Sequence, residues 1–179
     1  MQTQARRHQG FSLVEVLTCM GVLAILLALT LPRFGQLIER KRLDTQLGAL
    51  YVDLQQARAT ALTTGTAVRV RFQQLAQGSC WVMHLGPVDS CSCTEQGQAQ
   101  CLNPEHLLKH QWLPSSGTLR VDANVSQIAF HPRFGTASRA GTVAIASSSG
   151  LRAAHVIALT GRLRSCASAE SGLSLPVCS

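Results

Sequence analysis

Hydrophobic and polar positions change their period along the chain and divide it into regions. A polar stretch, residues 1–10, precedes an apolar run from Phe11 to Leu31 that contains a single charge, Glu15. A helix of that length covers about 30 Å, the hydrocarbon thickness of a bilayer. No small-residue cleavage site follows the run, as it would in an ordinary secretory signal. We therefore expect a retained transmembrane helix over residues 11–32, preceded by the polar residues 1–10.

A second helical pattern follows the apolar run. Apolar residues recur every three or four positions, which predicts an amphipathic helix over residues 33–64 with one buried stripe. Gly65 is expected to end this helix. The charged run from Glu39 to Asp44 is interpreted as its solvated face. The expected stripe consists of Leu47, Leu50, Tyr51, Leu54, Ala57, Ala61 and Leu62.

Period-two alternation predicts short strands in the β-rich head that we expect over residues 65–179. In residues 66–72, Val68, Val70 and Phe72 alternate with Arg69 and Arg71 on the opposite face. One long helix followed by evenly spaced strands predicts an α+β fold in which the helix packs on antiparallel β-sheet. A hairpin loop is expected at residues 147–150. Five further runs have strand character: residues 80–86, 118–125, 126–132, 141–147 and 154–160.

Seven cysteines in 179 residues indicate an oxidising compartment if the chain is exported. Cys19 lies in the apolar run, and the other six lie beyond it, some in an insertion over residues 80–106. The simplest pair is Cys166 with Cys178, since both lie in the tail. The neighbouring residues Cys91 and Cys93 are too close to pair comfortably with each other. We expect them to reach Cys80 and Cys101, although the sequence cannot select one pairing.

A zinc site is the competing interpretation of the insertion. Its C-x-C pair lacks the two-residue minimum gap of structural zinc sites, so we expect no metal and no cofactor. We also expect no enzyme, because the sequence has no phosphate loop, nucleophile elbow or H-E-x-x-H motif. A triad of Asp122, His131 and one of the serines 147–149 has no spacing to support it. The candidate zinc ligands are Cys91, Cys93, Cys101, His106 and His110.

The formal charge is +7, from 16 Lys and Arg against 9 Asp and Glu. Such a surplus favours nucleic acid, anionic lipid or an acidic protein as partner, without choosing among them. The segment TGRLRSC, residues 160–166, concentrates this charge. In an extended segment Arg162 and Arg164 project to one face, about 7 Å apart. Gly161 permits a turn just before them.

Acidic residues are scarce in this half of the chain. From Arg120 to Ser179 there are six arginines but only Asp122 and Glu170. Arginines without ion-pair partners are therefore expected, and two of them on one face suit successive phosphates along a nucleic-acid strand. The alternative is that Arg162 and Arg164 pair with acids or only solubilise an edge strand.

The stretch GFSLVE, Gly10 to Glu15, resembles the processing site of type IV prepilins. The resemblance implies that residues 1–10 are a leader peptide, that a prepilin peptidase cuts after Gly10, and that Phe11 becomes N-methylated. It also implies that Glu15 neutralises the terminal amine of a neighbouring subunit during assembly, and that Pro32 occupies the place of a helix-bending proline. The head would then be periplasmic on a single-pass inner-membrane anchor, and later at the pilus and cell surface.

Charge alone predicts the opposite orientation of the anchor. Four basic residues lie within about ten positions of the run on its carboxyl side, against Arg6 and Arg7 in the leader, and the positive-inside rule puts the more basic side in the cytoplasm. We favour the orientation given by the leader, because six of the seven cysteines lie beyond the run and suit the outside. The four basic residues are Arg33, Arg40, Lys41 and Arg42.

Three further segments, residues 53–70, 128–145 and 156–166, resemble the GspH/FimT family of minor pilins and pseudopilins. FimT-type members that bind DNA for natural transformation have a G-R-x-R-x-C motif, matched here by Gly161, Arg162, Arg164 and Cys166. The resemblance implies that both arginines contact the DNA backbone and that the cysteine tethers the tail.

The function that this resemblance implies is that of a minor type IV pilin. It would bind extracellular double-stranded DNA without sequence preference, through phosphates, for uptake in competent cells. Arg133, Arg139 and Arg152 are expected to assist, and an aromatic content of 4% argues against base stacking with single strands. Its other partners would be major and minor pilins, the prepilin peptidase and the inner membrane. The rivals are a purely structural minor pilin or type II secretion pseudopilin, and an adhesin.

Overall fold

The structure is a computed structural model that describes residues 12–178, without the side chains of residues 29–33. Gly10 and Phe11, the predicted processing site, lie outside the described residues. The chain divides into two compact units, Met1–Ile38 and Glu39–Ser179. In the part of the chain that is described, no helix combines the length and apolarity needed to cross a membrane.

Helix α1 extends from Leu13 to Thr64. It ends where the sequence predicts, because Gly65 adopts a φ of +66° and donates its N–H to the Ala61 carbonyl at 3.1 Å. The buried stripe differs from the expected one in two ways. Tyr51 and Leu62 are 38% and 44% exposed, and Leu43, which lies in the charged run interpreted as the solvated face, is buried. The residues of α1 that are buried among apolar neighbours are Leu43, Leu47, Leu50, Leu54, Ala57 and Ala61.

Asp53 is also buried in α1, at 1% exposure, which the apolar pattern did not predict. Its carboxylate accepts hydrogen bonds from Trp81 Nε1 at 2.7 Å and from Lys109 Nζ at 2.5 Å. A buried carboxylate needs such partners, since unpaired burial of a charge is costly. The contacts attach the helix to the first sheet.

Within the described residues after the helix, 65–178, ten strands form two four-stranded antiparallel sheets and one small hairpin. The first sheet has the order β5-β2-β1-β7, the second β10-β9-β8-β6, and β3 pairs with β4. The strands are β1 (Val68–Leu75), β2 (Gly78–His84), β3 (Cys91–Cys93), β4 (Ala99–Cys101), β5 (Leu107–Pro114), β6 (Leu119–Ala123), β7 (Gln127–Phe130), β8 (Gly141–Ser147), β9 (Arg152–Ile157) and β10 (Leu163–Ala167).

One apolar core joins α1 to the inner faces of both large sheets. Register places Phe72 opposite Trp81 in the first sheet, and Val156 between Thr142 and Arg164 in the second. The predicted α+β class, with a long helix packed on antiparallel sheets, is confirmed. The expected loop at residues 147–150 joins β8 to β9, with the Gly150 N–H donating to the Ser147 carbonyl at 3.2 Å.

The cysteine-rich insertion covers the outer face of the first sheet. Disulfides join Cys80 to Cys93 and Cys91 to Cys101. The guanidinium of Arg69 donates to the Gly86 carbonyl. Arg71 pairs with the Asp89 carboxylate. The two arginines that alternate with the core residues of β1 therefore hold the insertion in place.

Candidate nucleic-acid interface

Residues 158–162 form a tight hairpin between β9 and β10. The Gly161 N–H donates to the Ala158 carbonyl at 2.8 Å, and the Ala158 N–H donates to the Arg162 carbonyl at 3.0 Å. Gly161 has a φ of +77°, as the αL position of a three-residue hairpin loop requires. The sequence segment thus forms the turn that its glycine predicts, and Arg162 follows the turn directly.

The hairpin is locked against the loop of residues 131–137. A Cβ on Gly161 would lie 2.1 Å from the Gly135 carbonyl oxygen, so only glycine fits there. The same oxygen accepts a hydrogen bond from Arg58 Nε of α1 at 3.0 Å. The Ala137 N–H donates to the Leu159 carbonyl at 2.9 Å and joins the loop to the hairpin a second time.

Arg58 therefore positions both segments, a role that sequence reasoning missed. It lies in the middle of a helical pattern, where an arginine is ordinarily a solvated residue. Nothing local in the sequence connects Arg58 with Gly135 or Gly161.

Arg162 and Arg164 are both exposed, while Leu163 between them packs against the core. Neither side chain has a carboxylate within 4.0 Å among residues 12–178, where the ion pairs are those of Lys41, Arg71, Lys109 and Arg152. Arg164 lies in β10 opposite Val156, which is 39% exposed. The two guanidiniums are thus presented to solvent without neutralising partners.

Arg133 and Arg139 are exposed as well and belong to the same end of the second sheet. Arg133 lies in the loop that is bonded to the hairpin. Arg139 lies just before Gly141, the first residue of β8, which pairs with Ile157 next to the hairpin. The fold therefore collects four arginines at one end: Arg133, Arg139, Arg162 and Arg164.

Arg152, which was expected to assist, lies apart from this group. It begins β9, opposite Ala146, whereas the hairpin follows the other end of that strand. Its guanidinium already forms an ion pair with the Asp122 carboxylate at 2.6 Å. Because Arg152 is already paired and lies at the other end of the sheet, it is not positioned to contact an anion bound at the hairpin.

A disulfide joins Cys166 to Cys178, the pair that the sequence suggested. The tail returns along β10, where the Ala167 N–H donates to the Pro176 carbonyl at 2.9 Å and the Cys178 N–H to the Ala167 carbonyl at 3.1 Å. Leu173 and Leu175 pack on the core. The tether thus fixes the end of the strand that contains Arg164.

His155 supports β10 from inside. It is 2% exposed, its Nε2 lies 2.9 Å from the Leu47 carbonyl oxygen, and its Nδ1 lies 3.0 Å from Ser165 Oγ. A neutral ring that donates from Nε2 and accepts at Nδ1 satisfies both contacts. Burial lowers the pKa of His155 below its ordinary value, and the Leu47 hydrogen bond opposes that shift in part.

The competing zinc site is not formed. Cys91, Cys93 and Cys101 are all in disulfides, which removes the thiolates that a zinc ion would need. Among residues 12–178 no cluster of His, Cys, Asp and Glu is arranged to hold a metal ion.

Comparison with known families identifies the chain. The model for the type II transport protein GspH matches residues 46–161, and the model for the prokaryotic N-terminal methylation motif matches residues 5–31. The chain belongs to the GspH family. The resemblance drawn from the sequence is confirmed, and the family and fold are those of pilins and pseudopilins, which are structural proteins that assemble with other pilins.

Two solved structures share the fold. The minor pseudopilin EpsH from the type 2 secretion system of Vibrio cholerae is 15% identical, with a TM-score of 0.51, over 72% of this chain and 98% of that one. The type IV minor pilin FimU of Pseudomonas aeruginosa is 19% identical, with a TM-score of 0.52, over 70% of this chain and 89% of that one. A comparison with curated protein sequences gives no match.

Proposed function

We propose that this GspH-family protein is a minor type IV pilin whose head binds double-stranded DNA without sequence preference, for uptake in natural transformation. The observation that supports it is the exposure of Arg162 and Arg164, which have no carboxylate partner among the described residues, beside a turn that Gly161, Gly135 and Arg58 hold in one conformation. Preorganised guanidiniums suit phosphate oxygens, which they contact through charge-assisted hydrogen bonds.

Delivery to the cell surface is part of the same proposal. The methylation-motif match over residues 5–31 indicates a prepilin processed for the pilus. We propose cleavage after Gly10 by the prepilin peptidase, methylation of Phe11, and an assembly role for Glu15, which is exposed in the first turn of α1. Anchoring in the inner membrane through residues 11–32, with a periplasmic head, rests on the sequence.

The second candidate is a structural minor pilin or type II secretion pseudopilin that does not bind DNA. One observation favours it: the GspH match ends at Gly161 and leaves Arg162 and Arg164 outside the family pattern. The two candidates differ in whether the exposed arginines bind a polyanion.

A salt titration tests the proposal. The full-length protein in detergent is titrated into a fluorescently labelled duplex, and the anisotropy is followed at several salt concentrations. We expect weak binding, with a Kd on the order of 10⁻⁴–10⁻⁶ M near physiological salt, and no dependence on sequence. The double variant Arg162→Gln/Arg164→Gln should bind more weakly, with a slope of log affinity against log salt that is smaller by about two.

Arg120→Gln is the matched control, because Arg120 is exposed on the same sheet, opposite Ala146, at the end away from the hairpin. It should leave the affinity close to that of the wild type. Failure of the wild type to bind at low salt, or equal binding by the double variant, would overturn the proposal in favour of the structural candidate. Circular dichroism checks that each variant is folded.

A further inference from the structure

Phe134 is an aromatic side chain that lies exposed on the surface of the head, where such side chains are ordinarily buried. It is 69% exposed, whereas Phe72, Trp81 and Phe130 are buried in the core. Its ring stacks on His131, with the ring centroids 5.3 Å apart and the planes 19° from parallel. One face of the ring is backed by the imidazole, and the large exposed fraction leaves the remainder of the ring to solvent.

The loop holds this stack in a defined conformation. The His131 N–H donates to the Thr136 carbonyl at 2.8 Å, and the Gly135 N–H donates to the His131 carbonyl at 2.9 Å. His131 Nδ1 accepts a hydrogen bond from the Arg133 N–H at 3.2 Å, which fixes the orientation of the imidazole. The aromatic surface is therefore preorganised and does not need to be ordered by a ligand.

The same loop is locked to the arginine hairpin. Gly135, next to Phe134, contacts Gly161 and accepts from Arg58, and Ala137 is bonded to Leu159. Consequently the loop that contains Arg133 and Phe134 and the hairpin that precedes Arg162 are held together as one unit. No carboxylate among the described residues pairs with Arg133 or Arg162.

An exposed ring on a loop that is bonded to an arginine-bearing hairpin matches the chemistry of an unpaired nucleotide. The ring stacks on the base while the cations hold the phosphates on either side. A base inside a duplex is already stacked on both faces, so only a base in a single-stranded segment or at an open end can use the ring. The low aromatic content of the chain argued against such stacking, but one correctly placed ring is enough for one base.

We propose that Phe134, backed by His131, is a stacking platform for an unpaired nucleobase, so that the head prefers DNA with a single-stranded overhang over blunt duplex. This inference rests on the proposed DNA-binding function and narrows its ligand. Duplex still binds through the arginines, and the platform adds affinity where an unpaired base lies beside the bound phosphates.

Three labelled probes test the platform with the full-length protein in detergent: a blunt duplex, the same duplex with a short oligothymidine overhang, and the same duplex with an overhang of abasic nucleotides. The two overhangs have equal charge and differ only in their bases. The wild type should bind the thymidine overhang at least about fivefold more tightly than the abasic one, the lower end of base–aromatic stacking.

Variants assign the effect to the ring. Phe134→Ala should bind both overhangs equally, Phe134→Trp should keep the preference, and Leu159→Ala, which removes a neighbouring 60% exposed apolar side chain, should keep it as well. Arg162→Gln/Arg164→Gln should weaken all three probes. Duplex binding without a preference for thymidine, or a preference that survives Phe134→Ala, overturns the platform alone. Absence of binding to every probe overturns the proposed function and the platform with it.

Discussion

At position 161 the backbone has a φ of +77°, and the space that a side chain would fill is occupied by the Gly135 carbonyl oxygen at 2.1 Å. Each condition alone favours glycine. Together they make position 161 less tolerant of a side chain than an isolated turn glycine would be, because the neighbouring atom is backbone and is held by Arg58.

We predict that Gly161→Ala lowers the free energy of unfolding by more than about 2 kcal/mol, from backbone strain and overpacking together. Gly150→Ala is the matched control, since Gly150 has a φ of +93° with no atom within 4 Å of its added Cβ. That variant should cost only about 1 kcal/mol, for the strained φ. Urea unfolding measures both, and equal losses would show that the contact with Gly135 relaxes without cost.

Only part of the arginine site can be predicted from single residues and their neighbours in the sequence. The turn at Gly161 and the outward direction of Arg162 and Arg164 follow from local rules of φ and of strand alternation. The contributions of Arg58 and Phe134 depend on contacts between residues far apart in the chain, which local rules do not contain. The ion pair of Arg152 with Asp122 is likewise a contact between strands that local rules do not contain.

At the scale of the element, α1 is attached to the two sheets by polar contacts as well as by its apolar stripe. Asp53 bonds to the first sheet through Trp81 and Lys109, and the Leu47 carbonyl approaches His155 in the second. A cleft of about 310 Å³ lies beside His155, and its lining includes Asp44 and Tyr51. The contact to His155 fixes the helix against β9, and His155 in turn contacts Ser165 of β10, the strand that contains Arg164.

Acid should weaken this attachment. Because burial lowers the pKa of His155, its neutral form is favoured in the folded protein, while the unfolded chain takes up a proton near the ordinary value of 6.5. The unfolded state therefore binds more protons below that pH, and the free energy of unfolding should fall as the pH decreases from about 7.5 to about 5.

The variant His155→Gln isolates this contribution, since an amide retains a donor for the Leu47 carbonyl and does not titrate. Its stability should depend less on pH over that interval, as measured by urea unfolding. Some dependence should remain, because burial also lowers the pKa of His84. The prediction would be contradicted if the wild type were equally stable at both ends of this pH interval. It would also be contradicted if His155→Gln lost as much stability over the interval as the wild type does.

Most elements follow from their patterns, and the exceptions have physical reasons. The helix end at Gly65 and the strands β1, β2 and β6 to β9 are expected from periodicity and turn residues. The strand β5 was missed, because Lys109 and His110 interrupt its apolar alternation and one of its contacts is the polar one to Asp53. The stripe of α1 was misassigned at Tyr51 and Leu62 because two sheets and the tail, rather than one surface, decide which residues are covered.

On the scale of the whole head, the disulfides serve two different sheets. The pair Cys80–Cys93 fastens the insertion to β2 of the first sheet, and the pair Cys91–Cys101 joins β3 to β4 within the insertion. The pair Cys166–Cys178 fastens the tail to β10 of the second sheet, which also presents Arg164. The disulfides of the insertion and the disulfide of the tail can therefore be removed separately, so that the contribution of each to stability and binding is measured on its own.

We predict that Cys166→Ser/Cys178→Ser lowers the free energy of unfolding by about 3 kcal/mol, for a loop whose ends are 12 residues apart, and also weakens DNA binding. The loss of affinity follows because the end of β10 is no longer held. Cys91→Ser/Cys101→Ser removes a disulfide of similar separation, 10 residues, and should leave DNA affinity unchanged. Thermal unfolding and anisotropy measure the two effects, and a matching loss of affinity in both variants would show that the insertion also contributes to the interface.

The lock formed by Arg58, Gly135 and Gly161 limits how this surface can be transplanted or evolve. A graft of residues 160–166 alone onto another pilin would leave behind both the helix residue and the loop against which the turn rests. All three segments would have to be transferred together, because a Cβ on Gly161 would meet the Gly135 backbone and a Cβ on Gly135 would meet the Arg58 side chain. The surface is therefore a unit built from three segments that lie far apart in the sequence.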